Sequence, residues 1–271
     1  MSTVRQQRRT PSESSKRGRI MISFIGAGPG DPELLTLKGK RLIDSADVVI
    51  YAGSLVNPAV LDGCKEGTKI YNSALMNLEE VIEVMKEAEA AGKKCVRVHT
   101  GDPAIYGAHR EQMDELDKLG IKYEVIPGVS SFLGTAAALN AEYTLPGKSQ
   151  SVILTRMEGR TPMPPGEKLV DLARHHATMV IFLSIGFMDE MVSQLIEGGY
   201  TKDTPCAVVY KATWPDQKII RSTLGEIAAK VEEAGIKKTA LTVVGDFLGD
   251  EHDLSKLYDK TFTTEFRVGK P

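Results

Sequence analysis

Nine consecutive residues, His99-Thr-Gly-Asp-Pro-Ala-Ile-Tyr-Gly107, gather small, polar and rigid side chains of the kind that line a ligand site. Gly101 allows a ligand or a second backbone to approach closely, and Pro103 fixes φ and ends any strand ladder. Asp102 is the acid of the stretch, suited to ligand contact but equally to an Asx-turn or a cap on the next helix. Residues 94–98 before it alternate and are rich in β-branched types, as a strand would be. Residues from 108 read as a helix with Met113 and Leu116 on one side and Gly120 at its stop. In an open α/β sheet, ligands bind at the carboxyl ends of strands, where this loop lies. The same pattern also serves a loop that only turns the chain.

Two basic clusters follow. Arg156 and Arg160 flank Met157-Glu-Gly in TRMEGRTPMPPGE, and Lys211, Trp214 and Lys218 surround a short connection, KATWPDQ. Arginines on a Gly/Pro loop can grip carboxylates bidentately, and an indole offers a flat apolar face to a large conjugated ligand. A solvated loop with one exposed tryptophan is the plainer alternative. Other chemistries find little support. His99 and His109 lack Cys or Asp at ligand spacing, and the adjacent His175 and His176 read as a solvated helix end, so no metal site is expected. There is no GxSxG, and Cys64, Cys95 and Cys206 are far apart without a CxxC. The glycine loop Gly26-Ala-Gly-Pro-Gly-Asp-Pro32 imitates a dinucleotide loop, but Asp31 takes the third glycine's place and Pro29 removes an N–H. The next strand ends in Tyr-Ala-Gly-Ser, without an acid for a ribose, which argues against a nicotinamide oxidoreductase.

The elements that must position these loops alternate. Strands are expected at 20–25, 46–51, 69–72, 94–98 and 122–126, with helices between them, including an amphipathic one over 78–91. That order implies a parallel sheet with right-handed crossovers. Pro127-Gly128 breaks it and opens a small-residue helix at 131–140, where Ser130 and Ser131 suit an N-cap and a ligand contact. Strands resume at 151–155, 178–183, 205–210, 218–222 and 240–245; the short link before 218 suits an antiparallel hairpin, so the second sheet should be mixed. The fold class is α/β with two α/β domains, 20–127 and 128–250, between a basic, Ser-rich, disordered extension at 1–19 and a weakly patterned tail at 251–271. Met21 is a candidate functional start. At 42% apolar and 26% charged, 271 residues can bury a real core, and a net charge of −2 provides no field for nucleic acid or anionic membrane. No apolar run approaches membrane-spanning length, and the cysteine usage fits a reducing compartment, so a cytoplasmic protein is expected.

Taken together, GAGPGDPELLTLKG, the GDP loop, PGVSS and the strand ending Phe182-Leu183 resemble the tetrapyrrole methylases over about residues 20–248. The segments DVVIYAGSLVNP, VRVHTGDPAIYGAHREQM, VILTRMEGRTPMP and VVYKATWPDQKIIRSTL narrow the resemblance to the branch acting on corrin precursors. The resemblance implies two α/β domains with a cleft between them. It also implies methyl transfer from S-adenosyl-L-methionine to carbon 11 of precorrin-4 or its cobalt form, with S-adenosyl-L-homocysteine as product. Carried over by motif, the cofactor contacts are Pro29, Thr100, Gly101, Asp102, Ile105, Tyr106, Ser130, Ser131, Leu183, Ala212 and Ala240. Many relatives have Gly at the Ala212 position and Thr-Ala at Ser130-Ser131. Arg156, Arg160, Lys211 and Trp214 are the expected tetrapyrrole contacts, with neither a metal nor a covalent nucleophile. A homodimer is implied by the family alone. The alternatives are a methylase of another tetrapyrrole such as uroporphyrinogen III, and a tetrapyrrole carrier without turnover.

Overall fold

The computed structural model describes residues 22–270; the expectations for the extension, for a start at Met21 and for the beginning of the first strand lie outside them. Packing divides the chain into two compact units. One holds the described residues up to Gly26 with Thr36–His99 and Pro103–Gly128, and the other holds Ala27–Leu35, Thr100–Asp102 and everything from Val129.

The first unit is built on a five-stranded sheet, β1 (Ile22–Gly26), β2 (Val48–Tyr51), β3 (Lys69–Asn72), β4 (Cys95–His99) and β5 (Tyr123–Ile126), in spatial order β3-β2-β4-β1-β5. All four pairings are parallel, as the alternation of strands and helices requires. β1 and β4 are buried along their whole length, so they read as continuous apolar or small runs, apart from Arg97 and His99. Helix α1 (Leu37–Asp44) starts where the Thr36 hydroxyl accepts from the Gly39 N–H. The amphipathic α2 (Leu78–Ala90) starts in a capping box, Asn77 and Glu80 each accepting from the other's backbone N–H. Val81, Ile82, Met85 and Ala88 form its buried face, packed with Ile22, Phe24, Val48, Ile50 and Cys95. Met85 is fully buried there, so truncating it to alanine would cost about 2–5 kcal/mol.

Helix α3 (Arg110–Lys118) begins later than the sequence pattern indicates, because Ala108 has φ of 48°, which no right-handed helix accommodates. It stops as expected at Gly120, whose φ is +68°.

The second unit carries α4 (Ser131–Leu139) and a mixed sheet of β6 (Val152–Arg156), β7 (Thr178–Phe182), β8 (Pro205–Tyr210), β9 (Lys218–Thr223) and β10 (Ala240–Val244). The order is β6-β7-β10-β8-β9, with β6 and β7 parallel and the other pairs antiparallel. The β8–β9 hairpin is the one expected from the short link. Helices α5 (Leu169–Ala173), α6 (Met188–Glu197) and α7 (Ile227–Glu233) bury Leu169, Met191, Leu195 and Ile227 against Met179, Ile181 and Val208.

Two features depart from the expected organisation. The glycine loop and Thr100–Asp102, placed by chain order in the first domain, pack with the second unit. The reason is local: the Asp31 N–H donates to the Thr213 hydroxyl at 3.0 Å, the Trp214 indole N–H donates to the Pro29 carbonyl at 3.1 Å, and Gly101 bridges Gly28. Second, Ser130 occupies the N-cap position of α4 but its hydroxyl makes no capping bond.

Candidate functional site

Register places many of the expected site residues at one end of the second sheet. β6, β7 and β8 finish there, at Arg156, Phe182 and Tyr210, while β9 and β10 start there, at Lys218 and Ala240. Ala240 pairs with Tyr210, and extending the β7–β10 register sets Leu183 opposite Ala240. Arg156, Leu183, Lys211, Ala212 and Ala240 therefore leave the sheet side by side. Leu183, Lys211, Thr213 and Thr239 all adopt left-handed backbone there, with φ of 53°, 46°, 70° and 55°. None is glycine, so each stores strain of about 1–3 kcal/mol that the surrounding packing must hold. Leu183 is held with its apolar side chain 59% exposed, a position that core packing does not explain.

The first loop is seated on the same unit. Gly28 and Gly101 form an antiparallel bridge through main-chain bonds of 3.2 and 2.9 Å. A Cβ on Gly101 would stand 3.2 Å from the Ser131 nitrogen, and one on Gly134 would stand 2.6 Å from the Pro29 ring. Pro29, Thr100, Gly101, Ser130 and Ser131 thus come together through backbone contact that larger residues would block. The buried Thr100 hydroxyl has no partner, an unspent polar group within this cluster. Ile105 and Tyr106 continue the same loop within the first unit; Tyr106 is 45% exposed and left-handed, with φ of 54°. The cluster of Pro29, Thr100, Gly101, Ser130 and Ser131, all within the second unit, suits a hydrogen-bonding ligand that lies close to main chain.

The basic residues are more committed than their types imply. The Arg156 guanidinium donates to the carbonyls of Met157, Thr161 and Pro162 at 3.0, 3.2 and 3.1 Å, so it folds its own loop around itself. Arg160 is exposed and joins no ion pair among the described residues. Lys211 Nζ pairs with Asp216 at 2.6 Å and lies 4.8 Å above the Trp214 ring, which raises its pKa through the Asp216 hydrogen bond. The indole edge rests on the first loop so closely that a Cβ on Gly30 would stand 2.0 Å from its Cδ1. Trp214 is thus a wall for the glycine loop as well as a candidate aromatic platform.

Several positions escape sequence reasoning. Thr213 holds the Asp31 N–H and is itself held by Gln217, whose side-chain oxygen accepts from the Thr213 N–H at 2.7 Å. The Ser184 hydroxyl accepts from the Met157 N–H at 2.7 Å and donates to the Phe182 carbonyl at 2.6 Å, tying β7 to the Arg156 loop. Thr213 lies in the KATWPDQ link and Ser184 just past the strand expected at 178–183, but one partner of each, Asp31 and Met157, is distant in the chain and no local pattern names them. Burial pushes the Cys95 and Cys206 thiols up to about 12, far from nucleophilic. Among the described residues no three His, Cys, Asp or Glu side chains converge on a metal position, and no helix is long and apolar enough to cross a membrane.

Comparison with known proteins gives this geometry a family. Residues 21–228 match the family model of the tetrapyrrole (corrin/porphyrin) methylases. A cobalt-precorrin-4 C(11)-methyltransferase of Methanocaldococcus jannaschii is 59% identical over 247 residues, covering 91% of this chain and 95% of the relative. A solved cobalt-precorrin-4 methyltransferase of cobalamin biosynthesis superposes with a TM-score of 0.82 at 47% identity, over 84% of this chain and 95% of the other. A uroporphyrin-III C-methyltransferase of Thermus thermophilus, solved with S-adenosyl homocysteine, gives 0.69 at 28% identity, over 84% of this chain and 92% of that one. With two α/β units, one parallel and one mixed sheet, and these loops at the strand ends, the chain belongs to the tetrapyrrole (corrin/porphyrin) methylases.

Proposed function

We propose that this protein transfers a methyl group from S-adenosyl-L-methionine to carbon 11 of precorrin-4 or its cobalt form, in corrin ring biosynthesis. The observation that carries the reading is the 59% identity over 247 residues. A match of that length in a chain of 271 must run through both basic loops and the β4 loop.

When bound, the donor would supply a methyl group on sulfonium sulfur, whose methyl carbon the acceptor carbon takes in line as the carbon–sulfur bond breaks and S-adenosyl-L-homocysteine leaves. The protein's part is positioning: holding donor and acceptor at near-attack distance replaces an entropic cost that solution chemistry would meet in the transition state. Pro29, Thr100, Gly101 and Asp102, with Ser130 and Ser131, receive the donor against main chain, and the free Thr100 hydroxyl supplies a hydrogen bond. Ile105, Tyr106, Leu183, Ala212 and Ala240 provide apolar or small surface beside it. Positive charge disperses as the methyl moves, so a dry site costs this transition state little.

On the tetrapyrrole side, Arg160 is the free cation for a peripheral carboxylate, and Arg156 shapes the loop that carries it. Lys211 is a second cation, drawn from Asp216 when a substrate carboxylate competes, and the open part of the Trp214 ring faces the macrocycle. In this reading the enzyme works as a homodimer in the cytoplasm, without nucleic acid, membrane or metal.

Calorimetric titration with S-adenosyl-L-homocysteine, with NADH as control, is the first test, followed by turnover with precorrin-4 and cobalt-precorrin-4. Binding of the first ligand alone, and a product one methyl heavier at carbon 11, is the expected result. A methylated uroporphyrinogen III with precorrin-4 untouched would overturn the acceptor assignment, and no methylated tetrapyrrole at all would overturn the activity.

A further inference from the structure

β4 carries two side chains that a buried parallel strand ordinarily excludes. Strand alternation puts Cys95, Arg97 and His99 on one face, the face that packs on α2 and α3. Arg97 is 6% exposed and has no carboxylate in ion-pair distance among the described residues. Burial lowers its pKa to about 10. All of its hydrogen bonds go to neutral oxygens. Nε donates to Gln112 Oε1 at 3.2 Å, and Nη1 donates to the Ile50 and Val98 carbonyls at 3.4 and 3.3 Å.

Gln112, also buried, passes this contact on, since its Nε2 donates to the Ala108 carbonyl at 3.0 Å. His99 is 3% exposed, packs against the Phe24 and His109 rings, which also touch each other, and makes a backbone hydrogen bond at Gly107. Its Nε2 is the ring nitrogen without a partner, which assigns the Gly107 bond to Nδ1 as donor. Burial, with the nearby Arg97 and His109 charges, pushes His99 down to about 3, so the ring is neutral in ordinary buffers.

His99 of the strand, and Gln112 of α3 to which the strand's Arg97 donates, thus grip two successive carbonyls, Gly107 and Ala108, of the loop that leaves that strand. The loop needs holding. Tyr106 and Ala108 are both left-handed, and a Cβ at Gly107 would stand 2.1 Å from the Pro103 carbonyl oxygen. We infer that Arg97, Gln112 and His99 are positioning residues which brace this loop from beneath, fixing Ile105 and Tyr106 in the conformation that receives the methyl donor. The donor's part in this rests on the proposed function; the brace itself is a property of the free protein.

The test therefore has two arms. Amide hydrogen exchange on the ligand-free full chain compares wild type with Arg97→Met, Gln112→Leu, His99→Leu and His99→Asn. Faster exchange confined to residues 104–109 is expected in the first three, with β1 and α2 unchanged. His99→Asn keeps a donor near the Nδ1 position and should restore wild-type exchange. Unchanged loop exchange in all variants, or a His99→Asn variant as impaired as His99→Leu, would overturn the brace.

The second arm measures affinity for S-adenosyl-L-homocysteine and KM for the tetrapyrrole. A loss of about tenfold to a hundredfold in the former is expected for the first three variants, with the latter little changed. Failure of wild type to bind this ligand would count against the proposed function while leaving the exchange arm to judge the brace. Should any variant fail to fold, the His99 pair, which removes no charge, still decides the question.

Discussion

Two basic loops leave the same end of the second sheet and use their charges in opposite ways. In the loop after β6, Arg156 turns inward, and its guanidinium is taken up by the Met157, Thr161 and Pro162 carbonyls. In the loop between β8 and β9 the cation stays at the rim. Lys211 pairs with Asp216 over the Trp214 ring, and the indole supplies the inward contact at Pro29. One loop is built around its cation and the other around its aromatic residue. The difference teaches that a basic residue near a site is a ligand contact only after its own backbone has been satisfied. By that criterion Arg160 and Lys211 are free to exchange partners, and Arg156 is not.

The sharpest break in this comparison is at the aromatic side. Gly30→Ala would drive a methyl into the Trp214 ring, since the added carbon would stand 2.0 Å from Cδ1. Either the glycine loop or the indole must move by an ångström or more, so turnover should fall about a hundredfold. Trp214→Ala removes the wall and the bond to the Pro29 carbonyl, and should weaken S-adenosyl-L-homocysteine binding together with turnover. Were Trp214 only a platform for the macrocycle, Trp214→Ala would raise the tetrapyrrole KM and leave donor affinity intact. Calorimetry alongside steady-state kinetics separates the two outcomes.

The next largest effect belongs to the arginine loop. Arg156→Ala leaves three carbonyls without their donor, which should cost about 1–3 kcal/mol and a few degrees in Tm. Arg156→Lys should not restore it, because a single ammonium cannot reproduce the planar fork. Arg160→Ala should leave Tm within error and raise the tetrapyrrole KM about tenfold, with an effect that shrinks as salt rises. If both variants raise KM at unchanged Tm, the arginines are equivalent substrate contacts and the inward role of Arg156 is wrong.

Sequence patterns reached the frame of the molecule further than the wiring of its site. The alternation around β1, β2, β4 and β5 announced a parallel sheet, because both faces of such a sheet are covered and its strands carry β-branched runs. The seven-residue link to Lys218 announced a hairpin by length alone. The assignment of the glycine loop to the second unit was not legible, since it depends on Thr213 and Trp214, more than 180 positions away. Nor was the start of α3, where a helical pattern at Ala108 yields to a left-handed backbone held by Gln112. Periodicity reports what a segment prefers locally. Tertiary hydrogen bonds decide where a strained turn overrides that preference.

The smallest effect concerns Lys211 and Asp216. The Lys211 hydrogen bond holds the Asp216 carboxyl below its ordinary 3.8, and the same bond raises the Lys211 ammonium above 10.5. A carboxyl whose pKa falls on folding contributes stability above its ordinary pKa and loses it as pH drops through the lowered value. An ammonium whose pKa rises contributes below its ordinary pKa and loses it as pH climbs through the raised value. The pair is therefore intact across the whole neutral range, so Asp216→Asn should not alter the shape of the activity profile there. Being at the surface, it should also leave Tm almost unchanged. What it should change is the tetrapyrrole KM, lowered about twofold to threefold because Lys211 no longer has to leave a carboxylate to meet one on the substrate. A raised KM would mean that Asp216 aims Lys211 at its ligand instead of competing for it. The rim of this loop would then be as fixed as the interior of the other, and the contrast between the two loops would disappear.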